Sequence, residues 1–311
     1  MKEFIGIETN NKGIVLESDL GYICNYKCSY CPPWLHNGSD WINFNDLKNL
    51  INHIKPTLVI LPGGEPTYYP DFISLLKFIK NDIGSKTCVV SNASRSLEWW
   101  EEYHNLMDLL VFSLQIEFVN VEEFISKVKM VSKNRILTIN LQMIPERFDE
   151  LISIANTIIS NSQNVVILLK ALVNSETGDK FNYSKEQYDI MSNYMRSKTF
   201  TTTNPIRNTI HKKYSDGSLE LVVPQKLISD KENIYTGWYC WKGQQTLKVL
   251  ADGDIYNATC EVTQPLIKPI GNISKFDEIK FPNKPIICTK NICNCATSLK
   301  SIHKEKYYEE L

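Results

Sequence analysis

The chain has 311 residues, with 34 basic against 35 acidic side chains, 43% hydrophobic and 22% charged content. That is length for one large domain, or a large one beside a small one, with ample core. A formal net charge of -1 gives no footprint for a nucleic-acid backbone, and no run reaches the roughly 18 apolar residues of a membrane span, so neither is an expected partner.

The N-terminus carries no secretory-signal pattern, so the expected location is cytoplasmic. Short apolar runs then predict strands over Ile14–Leu20, Thr57–Leu61, Cys88–Ser91, Leu109–Gln115, Ile136–Met143 and Val165–Leu172, each read as buried on both faces. Amphipathic patterns between them predict helices over Asn45–Ile54, Asp71–Ile79, Leu97–Leu106, Val121–Met130 and Phe148–Ile159. In the first, Leu47, Leu50, Ile51 and Ile54 share one helical face. Repeated βαβ units imply an α/β fold with a parallel sheet. Six units are too few for a closed eight-stranded barrel, so a partial (β/α)6 barrel is expected over residues 1–200.

Beyond a helix predicted over Tyr183–Met195, residues 201–236 read as a linker, Thr- and Asn-rich at the start. Residues 237–311 read as a small C-terminal hairpin-plus-helix domain. Its hairpin spans Gln245–Thr259, and Asp252-Gly253 predicts a type I′ turn.

Nine cysteines, an odd number in a chain read as cytoplasmic, argue for metal ligation over a disulfide framework. Cys24, Cys28 and Cys31 stand on the loop after the first predicted strand, spaced by three and two residues. Three thiolates from one short loop can cap one face of an iron–sulfur cube and leave its fourth iron without a protein ligand. The same spacing also fits a zinc site completed by a distant Cys or His. Pro62-Gly63-Gly64-Glu65-Pro66 ends the second predicted strand. Paired glycines there let backbone approach a ligand closely, or simply make a turn.

In this order, at these strand ends, the two features resemble the radical S-adenosylmethionine (radical SAM) superfamily. Its hallmarks are a Cys-x3-Cys-x2-Cys loop, an aromatic residue just before the last cysteine (here Tyr30), and a Gly-Gly-Glu-Pro element (here Gly63–Pro66). The resemblance implies a 4Fe–4S cluster on Cys24, Cys28 and Cys31, with S-adenosylmethionine chelating the open iron. It implies Tyr30 near the adenine and the Gly63, Gly64 and Glu65 backbone at the methionyl amino group. Ser91-Asn92-Ala93 sits where relatives carry Thr-Asn-Gly, and Ser113-Leu114-Gln115 where many carry Ser-Leu-Asp, so Ser91, Asn92 and Ser113 join the cofactor-binding set. Gln115 departs from the usual Asp.

Cys240, Cys260, Cys288, Cys293 and Cys295 follow in the last quarter. Five thiols around a hairpin and tail can supply four ligands to one centre, either zinc or a second iron–sulfur cluster. The segment resembles the SPASM/twitch extension of the same superfamily, which implies one auxiliary 4Fe–4S cluster on four of the five. Its spacing departs from that pattern: Gly253 to Cys260 is longer than is common, and the tail is Cys-x4-Cys-x-Cys. Which four ligate is left open.

His36, in the loop after the first cysteines, and Gln115, Gln142 and Lys170, at strand ends, are the candidates for facing a substrate. Cys88 reads as a core residue, Trp99-Trp100 as helix packing, and Lys304–Glu310 as a solvated mixed-charge tail.

The resemblance implies reductive cleavage of S-adenosylmethionine to a 5′-deoxyadenosyl radical and hydrogen abstraction from an unactivated C–H bond. An external one-electron donor such as flavodoxin or ferredoxin is then required. The outcome is oxidation or cross-linking of a small polar metabolite or a peptide. The roughly 13 residues before the first predicted strand tilt this towards a small molecule, or a peptide delivered by a separate protein. The competing reading is a non-catalytic zinc-binding module with structural cysteine sites.

Overall fold

The computed structural model describes residues 2–9, 12–172, 181–197, 209–262, 264, 266–293 and 296–307. By contacts the chain forms two compact units. One comprises Asp19–Ile42 and Ile60–Phe200; the other comprises Met1–Ser18, Asn43–Val59 and Thr201–Leu311.

In the first unit, strands Lys86–Ser91, Leu109–Leu114, Leu137–Met143 and Val165–Ala171 lie parallel in sequence order. Their register sets Val90 beside Val111, Phe112 beside Ile139, and Gln142 beside Lys170. Helices Phe72–Lys77, Leu97–Tyr103, Val121–Ser132, Phe148–Asn161 and Lys185–Ser197 alternate with or follow these strands. Local chemistry starts several of them. Ser96 accepts from the Trp99 N–H and Asn120 from the Glu123 N–H, each satisfying a helix-start donor. The helix predicted over Asp71–Ile79 passes into a π-helical turn, Phe78–Ile83, that ends at Gly84 in the left-handed region.

The strands are buried on one face, where two had been expected. In Leu137–Met143, Leu137, Ile139, Leu141 and Met143 are fully buried, while Thr138, Asn140 and Gln142 are only half-buried. Trp100 packs edge-on against Phe112 at 4.7 Å, and Phe112 lies 5.9 Å from Phe124. Burying each such side chain is worth about 1.5–3 kcal/mol. The other face looks into a cavity. Cys88 shares that face with Val90 by the two-residue period, and it is half-buried, not a core residue.

In the second unit, Phe4–Glu8 is flanked by antiparallel neighbours Ile210–Tyr214 and Lys304–Glu305. The sheet order is Leu219–Val222, Ile210–Tyr214, Phe4–Glu8, Lys304–Glu305, Tyr239–Cys240 and Ile286–Ile287. Val15–Ser18 pairs in parallel with Thr246–Val249, which turns back into Asp254–Tyr256 and then Gly271–Asn272. Helix Phe44–Ile54, capped by Asn43, buries Leu47, Leu50 and Ile51.

Several expectations change here. The contacts group Met1–Ser18 and Asn43–Val59 with the C-terminal residues, a different division from a core over 1–200. Of the expected linker, 201–208 lies outside the described residues, and the rest holds two strands and helix Pro224–Ser229. The hairpin turn is not type I′. Gly253 alone has positive φ (88°), and the Leu250 carbonyl accepts from the Gly253 N–H at 2.9 Å. This is a tight turn closed by a left-handed glycine, so Asp252 keeps an ordinary φ. Lys304, read as part of a solvated tail, is 1% exposed.

Candidate active site and a second thiol cluster

The cysteine loop leaves strand Gly21–Ile23, which is antiparallel to Asn37–Trp41. The backbone of Gly63–Glu65 runs against that strand. The Gly64 N–H donates to Gly21 O at 3.1 Å and the Glu65 N–H to Ile23 O at 2.9 Å. Contact is so close that a Cβ on Gly64 would lie 2.2 Å from Ile23 O. Gly63, at φ +132°, adopts a backbone that only glycine reaches without strain. The Gly64 and Glu65 N–H groups are spent on the strand, and the segment's carbonyl oxygens are acceptors of the kind suited to an ammonium donor.

Glu65 is fully buried and collects four donors. Oε1 accepts from Thr67 N at 3.1 Å, Thr67 Oγ1 at 2.7 Å and Ser91 Oγ at 2.8 Å; Oε2 accepts from Asn92 N at 2.6 Å. Burial pushes its carboxyl up, against the pull of those bonds. The side chain therefore ties the end of one strand to the end of the next. Asn92, held by its backbone, turns its amide to Asn25 Oδ1 at 2.9 Å and Cys24 Sγ at 3.8 Å. Lys127, from helix Val121–Ser132, secures the same turn by donating to Ala93 O at 3.1 Å.

From the other side, Glu117 grips the loop through the Ser29 N–H at 2.8 Å and Oγ at 2.5 Å. Gln115 Oε1 accepts from the Tyr30 hydroxyl and from the Cys28 thiol at 3.8 Å. An amide at 115 adds no negative charge beside the thiols, which a carboxylate would. Burial raises the Cys24 and Cys31 thiols and pushes Cys28 up to about 12. Without metal these groups stay neutral; coordination is what would deprotonate them.

Cys24, Cys28, Tyr30, Cys31, Gly63, Gly64, Ser91, Asn92, Ser113, Gln115 and Gln142 line a single cavity of about 370 Å³, together with Ala171 and Leu172. Glu65 is not on the lining; it stands behind Ser91 and Asn92, to which it is bonded. Leu35 lines the cavity, but His36 and Lys170 do not. Among the described residues no Asp, Glu, Lys, Arg or His lines it. Nearby, Asn140 Oδ1, on the same strand face as Gln142, is buried without a hydrogen-bond partner among the described residues.

The donor set fits an iron–sulfur cube: three sulfurs, no imidazole or carboxylate, and space between them and the glycine pair. Among the described residues no three Cys, His, Asp or Glu side chains meet closely enough to share one metal ion. A cube does not ask them to, since each thiolate binds a different iron.

The supporting residues Thr67, Glu117 and Lys127 escaped the sequence reading. Glu117 and Lys127 lie far along the chain from the groups they hold, Thr67 stands two residues after Glu65, and none of the three belongs to a motif. Glu117 alone left a trace, as an acidic residue two positions after Gln115.

Four described C-terminal thiols gather in the other unit. Cys240, Cys288 and Cys293 are buried in one apolar cluster with Ile7, Tyr235 and Leu299, and Cys260 packs against it. Electrostatic coupling links Cys240 with Cys288, and Cys260 with both Cys240 and Cys293. Burial raises Cys240 and takes Cys260 to about 12. Cys295 lies outside the described residues. Lys242 pairs with Glu261 at 2.9 Å beside these thiols.

Comparison with known proteins places this architecture. The chain resembles the structure of Streptococcus suis SuiB bound to S-adenosylmethionine, with TM-score 0.53, 17% identity, and coverage of 84% of this chain and 63% of SuiB. SuiB bound to its precursor peptide SuiA gives TM-score 0.52, 16% identity, and 86% and 64% coverage. Native anSMEcpe with bound AdoMet and Cp18Cys peptide gives TM-score 0.53, 15% identity, and 84% and 78% coverage. At these identities the likeness is one of fold, and the chain spans less than two thirds of SuiB's length. No curated protein matches the chain. Residues 19–160 match the radical SAM superfamily. That segment, somewhat under half of the chain, holds the cysteine loop, the glycine pair and the Ser91-Asn92 turn, and it is what the chain shares with the radical SAM superfamily.

Proposed function

We propose that this protein removes a hydrogen atom from an unactivated C–H bond of a peptide side chain, leading to oxidation or cross-linking. The observation that carries the reading is the convergence of three thiols, the glycine pair, Ser91-Asn92 and Ser113 on one cavity. When bound, a 4Fe–4S cluster on Cys24, Cys28 and Cys31 and its S-adenosylmethionine would supply reductive cleavage to a 5′-deoxyadenosyl radical, with electrons from a donor such as flavodoxin or ferredoxin.

This chain's own residues bind, orient and exclude water. The Gly63 and Gly64 carbonyls would offer acceptors to an ammonium, Ser91, Asn92 and Ser113 present neutral polar groups, and Tyr30 braced on Gln115 gives an aromatic wall. Gln142, Ala171 and Leu172 finish the cavity in neutral chemistry. Among the described residues this lining carries no charged side chain, which favours an uncharged substrate group. SuiB and anSMEcpe, each solved with a bound peptide, support the peptide over the small metabolite that the short N-terminal stretch had favoured.

Cys240, Cys260, Cys288 and Cys293, gathered in one core, support an auxiliary 4Fe–4S cluster on these four, with Cys295 to spare. Iron and sulfide analysis of anaerobically purified chain tests the pair of sites: about eight of each per chain is expected. Colourless protein loaded with zinc would favour the structural-module reading instead.

A further inference from the structure

Five lysines of the described chain are buried: Lys127, Lys212, Lys242, Lys248 and Lys304. Four of them have a carboxylate at hand. Lys212 meets Glu232 at 2.8 Å, Lys242 meets Glu261 at 2.9 Å, Lys248 meets Glu17 at 3.1 Å, and Lys127 lies 3.9 Å from Glu123. Lys304, at 1% exposure, makes no ion pair with a carboxylate among the described residues. Its ammonium donates to Ser298 O at 2.8 Å and Ile302 O at 3.1 Å, and lies 5.4 Å from the centre of the Tyr235 ring.

Two carbonyls and a ring face satisfy the N–H groups but leave a full positive charge in an apolar cluster. Burying charge without a counter-charge costs far more than burying a satisfied dipole. What stands beside it is sulfur. Lys304 lies directly opposite Cys240 across the antiparallel pair Tyr239–Cys240 and Lys304–Glu305, and its charge acts on that thiol. Tyr235, whose ring it faces, is coupled in turn to Cys288 and Cys293. As thiols these groups carry no charge. As four thiolates on a 4Fe–4S core with two ferric and two ferrous irons, they make a doubly negative site, and reduction adds one charge more.

We propose that Lys304 is the buried counter-charge of the auxiliary cluster, a positioning residue that favours its reduced, more negative state. This rests on the auxiliary-cluster reading above. Lys242 is less suited to the task because Glu261 already neutralises it. The helix-end carbonyls hold the ammonium in place; the cluster gives the charge its reason to be there.

The test uses the full chain with Cys24→Ala, Cys28→Ala and Cys31→Ala, which empties the first site, reconstituted anaerobically with iron and sulfide. About four irons per chain are expected. A chain that takes up none overturns the auxiliary-cluster reading and this inference with it. In the loaded chain, Lys304→Gln retains N–H donors for the carbonyls but removes the charge. Its cluster should become at least tenfold harder to reduce, a midpoint potential lower by about 59 mV for one electron, while Lys304→Arg stays within that margin. An unmoved potential in loaded Lys304→Gln overturns the inference and leaves the cluster reading standing. Should Lys304→Gln lose its iron, melting of the iron-free chains decides. A counter-charge role leaves iron-free Lys304→Gln melting at or above its iron-free parent, and a role confined to capping the helix lowers it.

Discussion

Glu65 and Asn92 are joined by a 2.6 Å hydrogen bond from the Asn92 backbone N–H to a fully buried carboxylate oxygen. Through it, the residue that follows the glycine pair fixes the turn that carries the next wall of the cavity. Glu65 thus acts at one remove: Ser91 and Asn92 line the site, and Glu65 sets where they stand. Replacing it with Gln puts an NH2 group where one carboxylate oxygen now accepts. Glu65→Gln is expected to cost about 2–3 kcal/mol in chemical denaturation and to weaken S-adenosylmethionine binding by calorimetry. Unchanged stability and binding would show that the four donors find other partners.

Gly64 tests the close approach of the two backbone segments. With Ile23 O 2.2 Å from a new Cβ, Gly64→Ala has to push the strand or the cysteine loop aside. A loss of about 1–3 kcal/mol, as expected for overpacking, is anticipated, with iron uptake at the first site falling alongside. Denaturation midpoints and iron content per folded chain measure the two effects separately.

Glu117 holds the loop from outside through Ser29. These bonds are exposed, so Glu117→Ala should cost only about 0.5–1.5 kcal/mol of stability. Its mark should fall on the loop. Iron is expected to leave the first site several-fold faster under a chelator, while the C-terminal site keeps its rate. Equal rates at the first site with and without Glu117 would remove this residue from the loop's support.

Much of this was legible from local pattern. The strands and helices after residue 57 follow from apolar runs and helical spacing, and the cysteine loop from its own spacing. What escaped depends on distance along the chain. Phe4–Glu8 pairs with residues some two hundred and three hundred positions away, and strand Lys304–Glu305 has only two residues, too short for any periodicity. The same is true of charge. Lys304 in Lys-Glu-Lys-Tyr-Tyr-Glu-Glu looks solvated until the sheet places it opposite Cys240. The expectation of strands buried on both faces failed because the cavity occupies one of them.

His104 gives a pH dependence of defined sign. Burial, aided by the nearby charge of Arg135, lowers its pKa below the ordinary 6.5. The unfolded chain therefore takes up the proton first as pH falls. The stabilising contribution is whole above the ordinary value and is lost as pH drops from there towards the folded value. Thermal melts at about pH 7.5 and about pH 5.5 should show a steeper loss for the native chain than for His104→Gln, by at most roughly 1.4 kcal/mol per pH unit. Parallel curves would mean that His104 does not titrate differently in the two states.

The central claim, radical chemistry on Cys24, Cys28 and Cys31, is tested most directly by single-turnover chromatography of the anaerobically reconstituted chain with S-adenosylmethionine and dithionite. The account expects 5′-deoxyadenosine and methionine in equal amounts from the native chain and neither from Cys28→Ala. Intact S-adenosylmethionine after reduction of an iron-loaded native chain, or equal product from Cys28→Ala, would contradict it.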